Sequence, residues 1–251
     1  MANPVLSTKG LFTPSQPGYT SGQAQVVDDR MTFDDVLAKT ALSLAGLFLV
    51  AAFAYFFMPE RLLYPVGMVG GLAAVFVPFV VIRSRAASPA GNIAYAVAEG
   101  LLLAAFSRIF EAAYPGIIVQ GVLGTFMAAA VTLIAYRYGG FRISSKASKI
   151  LRLGMFAFVG VALLNLVLFF FGINTGLLPG PGEPVSLLAW VFALVGIGLA
   201  VYSLVDDFQY VEAGVNAGAP RSQGWVAAFG ISVTMVWLYI NIVRILSYFR
   251  R

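Results

Sequence analysis

The residues of this chain that could do chemistry are a few ionisable side chains set inside apolar stretches: Glu99, Arg108, Asp206, Asp207 and Arg244. At the depth of a lipid bilayer such a charge costs roughly 3 kcal/mol or more, so it is normally paired or placed along a polar path. The chemistry that these residues indicate is the handling of protons or cations.

Two residue types that commonly do chemistry are missing, because the sequence has no cysteine and no histidine. Thiol nucleophiles, disulfides, cysteine metal sites and imidazole bases are therefore excluded, and carboxylates have to carry any proton chemistry. The sequence has no glycine-rich phosphate loop after a strand and no metal-ligand spacing. We predict that the protein is not an enzyme and has no cofactor or resident metal, with calcium considered only as a transported ion.

Glu99 lies about two turns into an apolar segment that starts near Ile93. Two interpretations stay open for it: a functional or pairing role in the membrane, or a carboxylate that snorkels to the cytoplasmic interface. Nearer the other end of the segment, Arg108 and Glu111 are three residues apart on one helix face, and this spacing is typical of an interfacial ion pair.

Asp206 and Asp207 follow a long apolar run and are predicted to close the sixth span. Adjacent helical residues point about 100° apart, so we expect one of the two to face the helix bundle. The alternative is that both are hydrated at the cytoplasmic rim. Arg244, in the last span, could neutralise one of them or Glu99, or it could anchor the end of its helix.

The elements that position these residues follow from hydropathy. The chain is 60% hydrophobic and 11% charged, whereas an ordinary soluble domain is about 25% charged. Apolar segments long enough to cross a bilayer recur seven times, with no soluble domain between them. The predicted fold is an all-α membrane protein with spans at 41–58, 62–82, 93–110, 116–136, 153–172, 186–205 and 225–248.

Residues 1–30 are polar and predict a disordered cytoplasmic tail, which leaves 31–251 as the transmembrane domain. The first span is expected to be an uncleaved anchor, and Thr32 with Asp35 resembles a helix N-cap and acidic first turn. Small residues such as Gly67 with Gly71 and Gly196 with Gly198 predict close helix packing.

Lysine and arginine are concentrated in every second loop, which is the pattern that sets the orientation of a membrane protein. We therefore attribute the net charge of +5 to membrane orientation and not to nucleic-acid binding. With the N-terminus in the cytoplasm and the C-terminus outside, the outer loops hold only Arg61. The inner side then receives Lys9, Arg30, Lys39, Arg83, Arg85, Arg137, Arg142, Lys146, Lys149, Arg152 and Arg221.

The last two spans resemble a known family. Residues 204–212, LVDDFQYVE, are similar to the Asp-x-Gln signature of the transmembrane Bax inhibitor family, and residues 237–247, WLYINIVRILS, to its Leu-Tyr-Leu-Asp closing motif. The connection from Glu212 through Pro220, with Trp225 and the run 228–230, resembles the bacterial YccA-like branch. The resemblance implies seven helices, six of which surround the C-terminal one.

The resemblance also implies site residues. Asp207 matches the family's first aspartate, with Asp206 as the alternative if the register slips by one, and Arg83 matches a basic residue that can latch the aspartate pair. The second aspartate falls on Asn241, which cannot ionise. Some members carry a glutamate in the second span, which this chain lacks there, so Glu99 could replace it only if the fold brings it near.

The function that the resemblance implies is a pH-sensitive cation leak, calcium by preference, in a bacterial inner membrane. The alternative is a regulatory membrane protein that modulates a membrane-bound protease or a stress response without transport. In either case the lipid bilayer is an expected partner.

Overall fold

The computed structural model of the chain describes residues 30–250 apart from 84–88, and the side chains among them apart from 78–89. The predicted tail, 1–30, lies outside the described residues except for Arg30. Within the described part there are seven α-helices and no strand, and each helix is long and apolar enough to cross a membrane. They are α1 (Phe33–Phe57), α2 (Glu60–Arg83), α3 (Pro89–Ala113), α4 (Ile117–Arg137), α5 (Ser145–Phe170), α6 (Leu187–Asn216) and α7 (Gly224–Phe249).

The predicted all-α fold with seven spans is confirmed, but two helices begin about two turns earlier than their apolar runs. Local capping explains both differences. The side chain of Thr32 accepts a hydrogen bond from the Asp35 backbone N–H at 3.1 Å, which starts α1 as predicted from the N-cap pattern. Ser144 does the same for Ala147 at 3.3 Å and starts α5 ahead of its apolar run.

Helix α6 corrects the prediction that Asp206 and Asp207 close the sixth span. The helix continues for nine residues beyond Asp207, to Asn216. Phe208 and Val211 in this extension are buried, so the extra turns still bury an apolar face despite the polar residues among them. The two aspartates are therefore inside a helix, not at its end.

The described residues divide into two compact units. The first unit comprises 30–105 and 207–232, and the second comprises 106–206 and 233–250. In the first unit, α2 approaches α3 closely because glycines face it: a Cβ added at Gly67 would lie 2.5 Å from Ala105 Cβ, and one at Gly70 would lie 2.6 Å from the Ala98 carbonyl oxygen. The predicted close packing at Gly67 is thus confirmed.

The first unit also ties the start of α1 to the connection between α6 and α7. The backbone N–H of Met31 donates to the carbonyl of Ala219 at 2.8 Å. Nearly two turns into α1, Lys39 Nζ donates to Asp35 Oδ2 at 2.5 Å and to the carbonyl oxygen of Arg221 at 2.6 Å. Arg221 Nε donates a hydrogen bond to Asp35 Oδ1 at 3.0 Å. We call Asp35, Lys39, Arg221 and Trp225 the Lys39 cluster.

In the second unit, segments that are distant in sequence contact the turn between α3 and α4. Arg250 Nη1 donates to the Pro115 carbonyl at 2.8 Å, and the Gly182 backbone N–H donates to the Tyr114 hydroxyl at 3.3 Å. Glu111, predicted to pair with Arg108, accepts hydrogen bonds from the backbone N–H groups of Gly116 and Ile118 at the start of α4. These contacts bring together the C-terminus, the α3–α4 turn and the α5–α6 loop. A chain that crosses a membrane seven times has all three on the same side, so the contacts are consistent with seven spans.

Helix α7 is the most buried of the described helices. Within its most apolar window 83% of residues are buried, against 11–50% for the other six. In the first unit Phe229 packs against Tyr95 of α3 with ring centroids 4.9 Å apart. In the second unit α7 contacts α5 through Trp237 and Phe158, whose ring centroids are 5.3 Å apart. The predicted packing of the other helices around the C-terminal helix agrees with these contacts.

Candidate functional site

Asp206 and Asp207 are both buried, with 5% and 0% of their surface exposed. The alternative of two hydrated carboxylates at the membrane rim therefore does not describe them. They lie nine or more residues before the end of α6, and because they are buried, any charge on them depends on contacts with protein groups.

Asp206 is held by a serine from another helix. Its Oδ1 accepts a hydrogen bond from Ser148 Oγ at 2.6 Å, a short distance typical of a charged acceptor. Ser148 occupies the first turn of α5, which exists because Ser144 caps the helix. One turn before Asp206 on α6, the buried Ser203 Oγ has no hydrogen-bond partner among the described residues. Ser148, Ser203 and Asp206 thus bring buried oxygens to this part of the second unit.

Asn241 lies on α7 in the second unit and is buried. Its Nδ2 donates to the Trp237 carbonyl of its own helix at 2.9 Å, while its Oδ1 accepts no hydrogen bond from a described residue. The side chain packs against Gly196 of α6, where a Cβ would collide with Asn241 Oδ1 and lie 2.8 Å from Phe158 Cζ. Gly196 precedes Asp207 by eleven residues, which is about 16 Å of helix.

Glu99 is buried in α3, so its carboxylate does not reach water by snorkelling. It forms no hydrogen bond or ion pair with a described residue. The half-buried Arg244 of α7 likewise makes no side-chain hydrogen bond or ion pair within the described part of the chain. The hypothesis that Arg244 neutralises Glu99 or an α6 aspartate has no contact to support it. Arg83 is the last residue of α2, and its side chain lies outside the described residues.

Asp206 on α6 and Asn241 on α7, the buried amide at the position of a family aspartate, lie in the second unit, and Asp207 on α6 is buried in the first. A family model described as Bax inhibitor 1 like matches residues 3–251. The chain belongs to the Bax inhibitor 1 like family. Among curated proteins, the comparison found no match to it. The predicted family is confirmed over nearly the whole chain, although the motifs that indicated it lie in the last two spans.

As a member of the Bax inhibitor 1 like family, the protein is a multi-pass membrane protein. Its candidate site contains residues that the sequence did not single out, namely Ser148 and Ser203. Serines are common in membrane helices, so neither has a local signal that separates it from the others. Gly196 had such a signal as a small residue in a span, but its partner Asn241 is 45 positions away.

Buried polar side chains of the second unit carry carboxylate, hydroxyl and amide oxygens. No group of three or more Asp, Glu, His or Cys side chains that could hold a metal ion occurs among the described residues. In the second unit the buried polar side chains include the Asp206 carboxylate, the Ser148 and Ser203 hydroxyls and the Asn241 amide. Hard cations prefer oxygen ligands of these kinds.

Proposed function

We propose that this Bax inhibitor 1 like protein is a proton-gated leak pathway for cations, calcium by preference, with Asp206 and Asp207 as the gating carboxylates. The observation that carries the proposal is the burial of two adjacent carboxylates well inside a membrane-spanning helix. Acids inside membrane-spanning helices commonly mark ion paths and proton relays.

Two adjacent carboxylates repel each other when both are charged, and at low dielectric this repulsion is strong. A proton or a passing cation relieves it. Ser148 stabilises the charged form of Asp206 through its hydroxyl, and protonation of the carboxylate weakens that charge-assisted bond. Protonation and cation entry therefore compete for the same carboxylates, which makes the leak dependent on pH.

The pathway has a direction if the N-terminus is cytoplasmic and the C-terminus external, as the loop charges favour. Asp206 and Asp207 would then lie in the cytoplasmic half of α6. We further propose that the membrane is a plasma membrane and that the chain belongs to the bacterial branch of the family, on the sequence of the α6–α7 connection.

The test is calcium flux into liposomes that contain only the purified full chain, measured at acidic and neutral pH. The parent protein should conduct in a pH-dependent manner, and Asp206→Asn and Asp207→Asn should each flatten that dependence. Asp34→Asn is the matched control, because Asp34 is an exposed carboxylate at the start of α1.

Parallel pH profiles for the parent and both α6 variants would remove the aspartates from the mechanism. A parent protein that carries no flux at any pH would refute the leak itself. The regulatory alternative, modulation of a membrane-bound protease or stress response without transport, would then account for the family membership.

A further inference from the structure

The segment that joins α4 to α5 is strongly basic. Residues 137–152, which we call the basic segment, contain five lysines and arginines and no aspartate or glutamate. Four of the five side chains are exposed and the last is partly buried: Arg137, Arg142, Lys146, Lys149 and Arg152. A concentration of cations this close to membrane-spanning helices attracts anionic headgroups.

Among the described residues, four of these five cations have no anionic partner. Arg142 is occupied by Tyr136, with Nη1 3.3 Å from the hydroxyl and the guanidinium 5.1 Å from the ring centroid. The side chains of the other four basic residues form no hydrogen bond or ion pair with a described residue. Their charge is therefore available to an external anion.

The lysines lie at the N-terminus of α5, where a cation without a nearby anion is especially unfavourable. Lys146 is the second residue of α5 and Lys149 lies one turn later, while the first turn has no acidic residue. The N-terminus of a helix carries a partial positive charge, so cations placed there are unfavourable unless an anion is near. Lys146, Lys149 and Arg152 are spaced three residues apart, which puts neighbours within reach of a common ligand on the helix surface.

The neighbouring side chains place the basic segment at the level of lipid headgroups. Ile150 and Leu153 follow Lys149 on α5 with 65% and 73% of their surface exposed, as expected of residues that face lipid tails. On α4 the exposed Ile134 precedes Arg137, and the exposed Tyr138 supplies an aromatic ring of the kind found at membrane interfaces. The cations thus lie where the lipid-facing surfaces of two helices end.

We propose that the basic segment is a binding surface for the headgroups of anionic phospholipids. The occupant follows from the depth of the site, because a soluble anion would have to compete with the phosphates of the lipids already at that level. The excess of lysine and arginine in cytoplasmic loops explains why this loop is basic. It does not explain why unpaired cations lie at the N-terminus of α5, where the helix dipole disfavours them.

The test uses the absence of cysteine from the chain. Ser145→Cys introduces a single exposed thiol within the basic segment, and a fluorophore on it reports nearby lipid in vesicles of the full-length protein. Quenching is compared between spin-labelled phosphatidylglycerol and spin-labelled phosphatidylcholine at equal mole fractions. Phosphatidylglycerol should quench more strongly, and added salt should reduce the difference.

Lys146→Gln with Lys149→Gln should lower the preference by about fivefold for each lysine removed, and Lys146→Arg with Lys149→Arg should retain it. Arg61→Gln, which removes an exposed arginine from the start of α2, should leave it unchanged. Equal quenching by the two lipids, or equal losses for the glutamine pair and Arg61→Gln, would overturn the proposal. Protection of the label by soluble heparin without a lipid preference would also overturn it, in favour of an acidic soluble partner.

Discussion

Replacement of Lys39 by methionine should destabilise the protein by about 3 kcal/mol, because Lys39 is a buried ammonium that donates two hydrogen bonds, one of them to a carboxylate. These hydrogen bonds go to Asp35 Oδ2 and the Arg221 carbonyl, and the ammonium lies over the Trp225 ring, whose centroid is 5.5 Å from Nζ. Methionine keeps most of the apolar stem of the side chain but leaves Asp35, whose side chain is 12% exposed, without its closest cation.

The size of the effect follows from the interactions that Asp35 keeps after the substitution. Breaking a buried ion pair by removing one partner costs about 3–5 kcal/mol. Arg221 Nε stays 3.0 Å from Asp35 Oδ1, so the lower end of this range applies. For a chain of this size that loss corresponds to a melting temperature about 6–12 °C lower, which thermal denaturation of the purified full chain in detergent would measure.

Two control variants distinguish the loss of contacts in the Lys39 cluster from the general effect of removing a charge. Lys146→Met removes an exposed lysine and should change stability by less than about 0.5 kcal/mol. Lys39→Arg keeps the charge, but a planar guanidinium cannot direct donors at all three partners, so it should restore only part of the stability. A Lys39→Met protein that melts within about 2 °C of the parent would refute the reasoning.

Three further predictions concern the site and the topology. Ser148→Ala removes the donor to buried Asp206 and should destabilise the protein by about 1.5–3 kcal/mol in the same thermal assay, and an unchanged melting temperature would argue against a charged acceptor. Gly196→Ala should cost about 1–3 kcal/mol, because its Cβ would collide with Asn241, whereas Gly198→Ala meets open space and should be neutral or slightly stabilising; equal effects of the two would contradict the packing. A reporter fused after the last residue should be active only outside the cytoplasm, and cytoplasmic activity would overturn the N-inside, C-outside orientation.

The spans were predictable because lipid imposes a length and an apolar composition on every crossing helix. The cap at Thr32 was predictable as well, since an N-cap is a contact within a few residues of sequence. The end of α6 was not, because Asp206, Asp207 and Gln209 read as the polar end of a span. The burial of Asp206 and Asp207 depends on helices that are remote in sequence.

Contacts between distant residues account for the rest of what the sequence could not predict. Lys39 and the carbonyl of Arg221 are 182 positions apart, and Ser148 and Asp206 are 58 positions apart. A lysine in the first turns of α1 is by itself typical of a hydrated lead-in to a membrane span. Only the position of the α6–α7 connection against it makes Lys39 a buried structural residue.

The surroundings of Asn241 give a physical reason why an amide is suited to a position where the family motif has an aspartate. Nδ2 donates to the Trp237 carbonyl, and a charged carboxylate would instead set an oxygen against that carbonyl. Oδ1 already lacks a donor among the described residues, and it lies against Gly196 of α6. A buried charge without donors costs far more than a neutral amide in the same place. In the proposed leak, residue 241 therefore contributes a neutral oxygen, and the response to pH has to originate from the carboxylates of α6 or from Glu99.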